Sequence, residues 1–345
     1  MKNQRMQPGD LCLVTGITGY VASWIGKDLL EQGYRVRGTV RSFNDQEKIH
    51  TMHELLPGVE FVEADLRSSD GWEKATKGCK WVFHVASPQA VASERDRTGG
   101  ALSGTRFVLT AAFATETVEK VVVTSSEAAV AYNLPTSKTR FTEDDWTNAE
   151  GAGDYFRSKT LAEKLAWDLA NDDTQNPRHI ALSTISPSMI LGPSLVPWVR
   201  YSHETVKNLV EGKTRMVPDM SNYFVDVRDC GSMHITLMND PSTDWHRHLC
   251  YSVRGRTVDL ALTIRNHYAR LGFAPKVRTF PRFLVWMLKF FNADAASLYP
   301  LLGKETWRET KYPQVYHYRY TDLTQMVRDT IDDLLEKKAI QVKNK

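Results

Sequence analysis

With 345 residues, 42% of them hydrophobic and 25% charged, the chain has the composition of a soluble globular protein with room for one large domain or two ordinary ones. Its formal charge of +3, without a dense Lys/Arg run, suits a small anionic ligand and speaks against nucleic acid. Four scattered cysteines, Cys12, Cys79, Cys230 and Cys250, have no CxxC spacing and no neighbouring His cluster. They read as buried thiols of a reducing compartment, not as a zinc site or disulfide frame.

The first ten residues, MKNQRMQPGD, lack an apolar core, so export is not expected and a cytoplasmic location is. Short β-branched runs then alternate with helical patterns. Strands are predicted at 11–15, 35–40, 59–63, 81–84, 120–124 and 181–185, with helices such as 21–32, 71–76, 99–115 and 155–171 between them. Six strands at this spacing predict an α/β fold with a doubly wound parallel sheet of the Rossmann type over residues 1–190. After Pro187 the alternation loosens. Residues 191–345 are read as a smaller, mostly helical and discontinuous substrate-binding lobe, with the chain recrossing to the sheet near 224–256. Phe283–Phe291 (FLVWMLKFF) is far too short to span a bilayer and predicts a buried or partner-facing helix, with a membrane surface as the alternative. Residues 320–337 carry the period of a closing amphipathic helix.

The first strand runs into Thr15-Gly16-Ile17-Thr18-Gly19-Tyr20-Val21-Ala22 and then a helix. Gly16 allows a tight turn, Gly19 a close backbone approach to a pyrophosphate, and Ala22 close helix packing, while the helix N-terminus favours the anion. The second strand ends in Thr39-Val40-Arg41-Ser42, with a guanidinium where an NAD site would carry a carboxylate. Arg41 can pair with a 2′-phosphate, which favours NADPH, and Arg37 and Lys48 are further candidates for positive charge. Asp65 and Leu66 are expected beside the adenine, and Ala86, Ser87 and Pro88 beneath the central ribose.

Tyr155 and Lys159 stand four residues apart on one face of a predicted helix. A phenol is a poor acid or base near neutrality unless a nearby cation stabilises its anion, which Lys159 can do. Ser126 lies 29 residues upstream, where the strong strand ending in Thr124 runs out. The pocket candidates are Gln89 and Val91, Trp198 and Tyr201, and Tyr223. Their aromatic content points to a largely apolar substrate.

On the stretches VTGITGYVA, GTVRS, EADL, VFHVASP, VVVTSSEAAV, YFRSK, ISPSMILGP and FVDVRD, the chain resembles the extended short-chain dehydrogenase/reductases. Within them it is similar to the group of dihydroflavonol reductases and yeast-type aldehyde and methylglyoxal reductases. The resemblance covers about two thirds of the chain and implies hydride transfer from NADPH to a small-molecule carbonyl. It assigns Tyr155 as proton donor, Ser126 as the group polarising the carbonyl, and Lys159 as the charge that lowers the tyrosine pKa and holds the ribose. Thr124 falls among its cofactor contacts, and Pro187 and Ser188 match the segment lining the nicotinamide. Two positions depart from the pattern. Ser103 replaces the usual Asn in the helix after the fourth strand, and Glu127 follows the catalytic serine, where it is read as either facing the substrate or salt-bridged. A sugar epimerase or hydroxysteroid-type dehydrogenase/isomerase is the alternative enzyme class, and Arg41 argues against it. A non-catalytic NADPH-sensing regulator would be expected to lack Tyr155. The expected assembly is a monomer or homodimer.

Overall fold

The computed structural model describes residues 5–88, 97–198, 202–315 and 321–342. Its centre is a parallel sheet of seven strands: β1 (Leu11–Val14), β2 (Arg35–Val40), β3 (Glu60–Glu63), β4 (Trp81–His84), β5 (Lys120–Thr124), β6 (Ala181–Pro187) and β7 (Arg247–Cys250). Their order across the sheet is β7-β6-β5-β4-β1-β2-β3. This is the doubly wound order of a dinucleotide-binding fold, extended by one strand beyond the six that the sequence pattern predicts.

Strand periodicity divides the core into two layers. Cys12, Val14, Trp81, Phe83 and Val122 point to one side. There they pack with α1 (Tyr20–Glu31) and α6 (Val227–Asn239). Leu11, Leu13, Val82, Val121 and Val123 point to the other, onto α3 (Trp72–Thr76), α4 (Arg97–Ala114) and α5 (Asp154–Ala170). Strands covered on both faces must be apolar on both, which is why they read as continuous runs. A further helix, α2 (Gln46–Leu55), follows β2; only Met52 of it is buried, so its period is weak. The seventh strand, RHLC, lies within the segment expected to recross to the sheet near 224–256; its apolar run is weak because it opens on a charge and a histidine.

Beyond Pro187 a three-stranded sheet of Met189–Leu191, Ser221–Asp226 and Val253–Arg256 supports a second core. Three helices close it, Ser202–Val210, Thr257–Tyr268 and Leu323–Glu336. The last is the expected amphipathic helix, begun by Asp322, whose carboxylate accepts from the N–H of Gln325. Two-residue strands Arg140–Phe141 and Trp307–Arg308 pair in parallel and carry the end of the chain back toward β5. The four cysteines are buried and unpaired. No described helix is long and apolar enough to cross a membrane, and the described residues hold no His/Cys/Asp/Glu cluster fit for a metal.

Candidate active site

The sheet order reverses between β1 and β4, and the loops leaving the C-terminal ends of these strands make the ligand crevice of such a fold. Thr15 sets its floor. Its hydroxyl accepts the N–H groups of Val85 (3.0 Å) and Ala86 (2.9 Å), leaving its own hydrogen for His84 Nδ1 at 3.1 Å. Burial lowers the His84 pKa to about 3, so this ring is a neutral acceptor at physiological pH. Gly16 adopts φ +64°, and a Cβ there would stand 3.0 Å from the Ala86 Cβ, so the turn needs glycine twice over. Gly19 caps α1 without a side-chain acceptor, and the first turn of α1 holds no acid. Its N–H groups are thereby left for an incoming anion. Arg41 is exposed at the end of β2 and makes no ion pair with any described residue. These features fit a dinucleotide carrying a 2′-phosphate.

Several predicted cofactor residues converge. One cleft is lined by Leu66, Ala86, Ser87, Pro88, Thr124 and Lys159. Asp65 lies beside it at the end of β3, its carboxyl held below the usual range by Arg67. Thr124 Oγ1 lies 2.8 Å from His234 Nε2. Pro187 ends β6, and Ser188, just beyond, has a buried hydroxyl with no partner among the described residues. The Tyr20 hydroxyl is engaged within the protein, donating to the Gly192 carbonyl at 2.8 Å. The half-buried Val21 packs against the core beneath α1. Ser103 donates to the Leu66 and Gly100 carbonyls, within the fold.

The two serines after β5 have separate fates. Ser125 Oγ donates to the buried carboxylate of Glu163 at 2.5 Å. Ser126 Oγ lies 3.2 Å from the phenolic oxygen of Tyr155 and also accepts from the N–H of Ala128. Glu163 binds Ser125, Thr184 and Arg247 together; burial opposes its charge, but those partners outweigh burial and hold its pKa below the ordinary value. The carboxylate on α5 therefore pins β5, β6 and β7, and with them the place of Ser126.

Lys159 Nζ donates to Ser87 Oγ at 3.1 Å. Desolvation and the neighbouring Arg97 lower its pKa to about 8, against the opposing pull of Glu163. Tyr155 keeps 42% of its surface exposed, yet desolvation raises its pKa. Its hydrogen bond with Ser126 and the charge of Arg97 act the other way without offsetting this. A cation beside the phenol is Arg97, whose guanidinium stands 5.7 Å from the ring centroid. Nothing in the sequence singles Arg97 out.

Of the two readings of Glu127, the structure shows the salt bridge: it is buried and accepts from Arg308 Nε at 2.6 Å. Arg308 is itself buried, between the rings of Phe141 and Tyr223. Tyr223 is also structural, its hydroxyl donating to the Thr306 carbonyl (3.0 Å) and accepting from the Arg308 N–H (2.9 Å). Trp198 belongs to the cofactor side. Its indole N–H donates to the Thr18 carbonyl at 3.0 Å, and Lys48 Nζ lies 4.8 Å from its ring. Arg37 is spent on the C-terminal carbonyls of α3 and on Glu60, outside the crevice. Gln89, Val91 and Tyr201 lie outside the described residues.

Residues 12–249 match the model of the NAD dependent epimerase/dehydratase family. The chain belongs to this family, the extended short-chain dehydrogenase/reductases. It is similar to the cinnamoyl-CoA reductase CAD2 of Medicago truncatula, 30% identical over 96% of this chain and 97% of that one. Among solved structures it is similar to vestitone reductase from alfalfa (TM-score 0.73, 28% identity, 96% and 100% covered). It is also similar to Gre2 of Candida albicans in complex with NADPH (TM-score 0.75, 26% identity, 95% and 99% covered). The protein is an oxidoreductase of this family.

Proposed function

We propose that the protein uses NADPH to reduce the ketone or aldehyde carbonyl of a small, largely apolar molecule to an alcohol. The observation carrying this reading is the 3.2 Å contact between Ser126 Oγ and Tyr155 OH, with Lys159 in the adjoining cleft. A reduced nicotinamide, when bound, supplies the hydride. Ser126 donates a hydrogen bond to the carbonyl oxygen and so stabilises the negative charge that develops there. Tyr155 delivers its phenolic proton to the forming alkoxide. The raised pKa of that phenol suits the reductive direction: the group stays protonated near neutrality, and an alkoxide is still far the stronger base. Lys159, beside Ser87, holds positive charge next to the ribose and the reacting atoms. Arg41, with Lys48 and Trp198 nearby, would hold the 2′-phosphate end.

Support for NADPH comes from Arg41 and from the NADPH bound in the Candida Gre2 structure; support for a carbonyl substrate comes from relatives named as reductases. Sugar dehydratases of the family carry an acidic pair after a threonine at this place; Ser126-Glu127-Ala128 does not reproduce it, and Glu127 is paired with Arg308. The test is loss of NADPH absorbance with aromatic, aliphatic and α-dicarbonyl compounds, with NADH as control. We expect turnover with NADPH that Tyr155→Phe lowers by about 10²–10⁴-fold while the cofactor still binds. Undiminished turnover in that variant would move the chemistry elsewhere.

A further inference from the structure

Six large apolar side chains in nine consecutive residues face outward: Phe283 (63% exposed), Trp286 (48%), Met287 (46%), Leu288 (50%), Phe290 (63%) and Phe291 (90%). Helix Arg282–Leu288 and the turn after it present them. Positions 283, 286, 287 and 290 follow the i, i+3, i+4, i+7 spacing of one helix face, and Trp286 and Phe290 touch edge to face at 5.5 Å. The opposite face is anchored, since Val285 is buried against Leu301 and Leu302. Full burial is therefore ruled out for the outer face of this helix, which leaves the partner-facing and membrane-surface readings. Contiguous apolar surface of this kind marks an interaction site.

Its charges identify the partner. From Leu271 to Ala293 the chain carries Lys276, Arg278, Arg282 and Lys289 and no acidic residue. Lys276, Arg278 and Arg282 are exposed, and Lys289 lies folded over the Tyr299 ring at 4.4 Å. We propose that this ridge seats the protein on an anionic membrane surface, with the aromatic and aliphatic tips among the acyl chains and the cations at the headgroups. An exposed segment of Trp, Phe, Leu and Met with Lys and Arg beside it in the chain and no acid between has the composition of an interfacial segment. A second copy fits worse: a two-fold contact through this patch would bring the same cationic rim against itself. Insertion is shallow, because a seven-residue helix cannot span a bilayer. Binding does not depend on the oxidoreductase chemistry.

The test uses the full chain in sedimentation with vesicles of phosphatidylcholine alone and of phosphatidylcholine mixed with phosphatidylserine. The protein is expected to pellet with the anionic vesicles, and less so as salt rises. Phe283→Ser with Phe290→Ser should abolish sedimentation while thermal stability and turnover stay near the wild-type level, since most of both side chains is already exposed. Arg278→Gln and Arg282→Gln should each weaken partitioning on the order of fivefold. Absence of binding to either vesicle, or equal and salt-independent binding to both, overturns the proposal. So does a wild-type dimer that the Phe283/Phe290 variant converts to monomer, which would make the ridge a subunit interface.

Discussion

The two sides of the cleft are held by different forces. On the cofactor side the geometry is made by backbone: a glycine at φ +64°, a helix N-terminus without a side-chain cap, and a threonine hydroxyl that gathers two N–H groups. On the catalytic side it is made by buried ion pairs joining distant parts of the chain: Glu163 with Arg247, and Glu127 with Arg308. Around such a backbone site an exposed side chain such as Arg41 can be altered with little threat to the fold. A site held by desolvated charge cannot, because removing one partner strands the other without water.

This contrast can be broken at several points. The largest effect is expected for Glu163→Ala, which leaves Arg247 half-stranded and frees Ser125 and Thr184. A loss of about 3–5 kcal/mol in denaturant unfolding is expected, and a change below about 1 kcal/mol would show that the buried pair holds little. Arg308→Met should cost somewhat less, because Phe141 and Tyr223 can pack against the methionine. It should also lower turnover, since Glu127 directly follows Ser126 and loss of its partner disturbs the turn that presents Ser126 to Tyr155. Adding Glu127→Gln should restore much of both losses; a purely additive double variant would separate the pair from catalysis.

On the cofactor side, Arg41→Glu should leave the melting temperature nearly unchanged and weaken NADPH by about 1.5–3 kcal/mol, the scale of a hydrogen bond to a charged group. NADH should be affected far less. Equal losses for both cofactors would sink the assignment of the 2′-phosphate. The smallest effect at neutral pH concerns Lys159. Its pKa in the folded protein is depressed to about 8, so the ammonium is present below that pH and is lost as pH rises through it. Reduction should therefore decline above about pH 8, whereas the raised Tyr155 pKa keeps the phenol protonated over the same range. A flat rate profile across that window would show that the charge of Lys159 is dispensable.

Much was legible in the sequence where the signal is local. Short, continuous apolar runs rich in β-branched residues marked six of the seven parallel strands, and the glycine spacing marked the phosphate loop. The Tyr155–Lys159 separation placed both on one face of α5, because each of these depends on residues within a turn or a strand of one another. The amphipathic stripe of Leu323–Glu336 was visible for the same reason.

What the sequence could not decide was who meets whom across the fold. Glu127 and Arg308 are 181 positions apart, and Trp198 and Thr18 are 180. No spacing rule connects such pairs. Whether Glu127 would meet a substrate or a partner depended on where the strand Trp307–Arg308 returns. That Ser125, one residue before Ser126, would be claimed by Glu163 likewise appears only in the fold. Local hydrogen-bond periodicity wrote the scaffold into the sequence, whereas the electrostatics of the site, which depend on distance in space and on exclusion of water, came only with the tertiary structure.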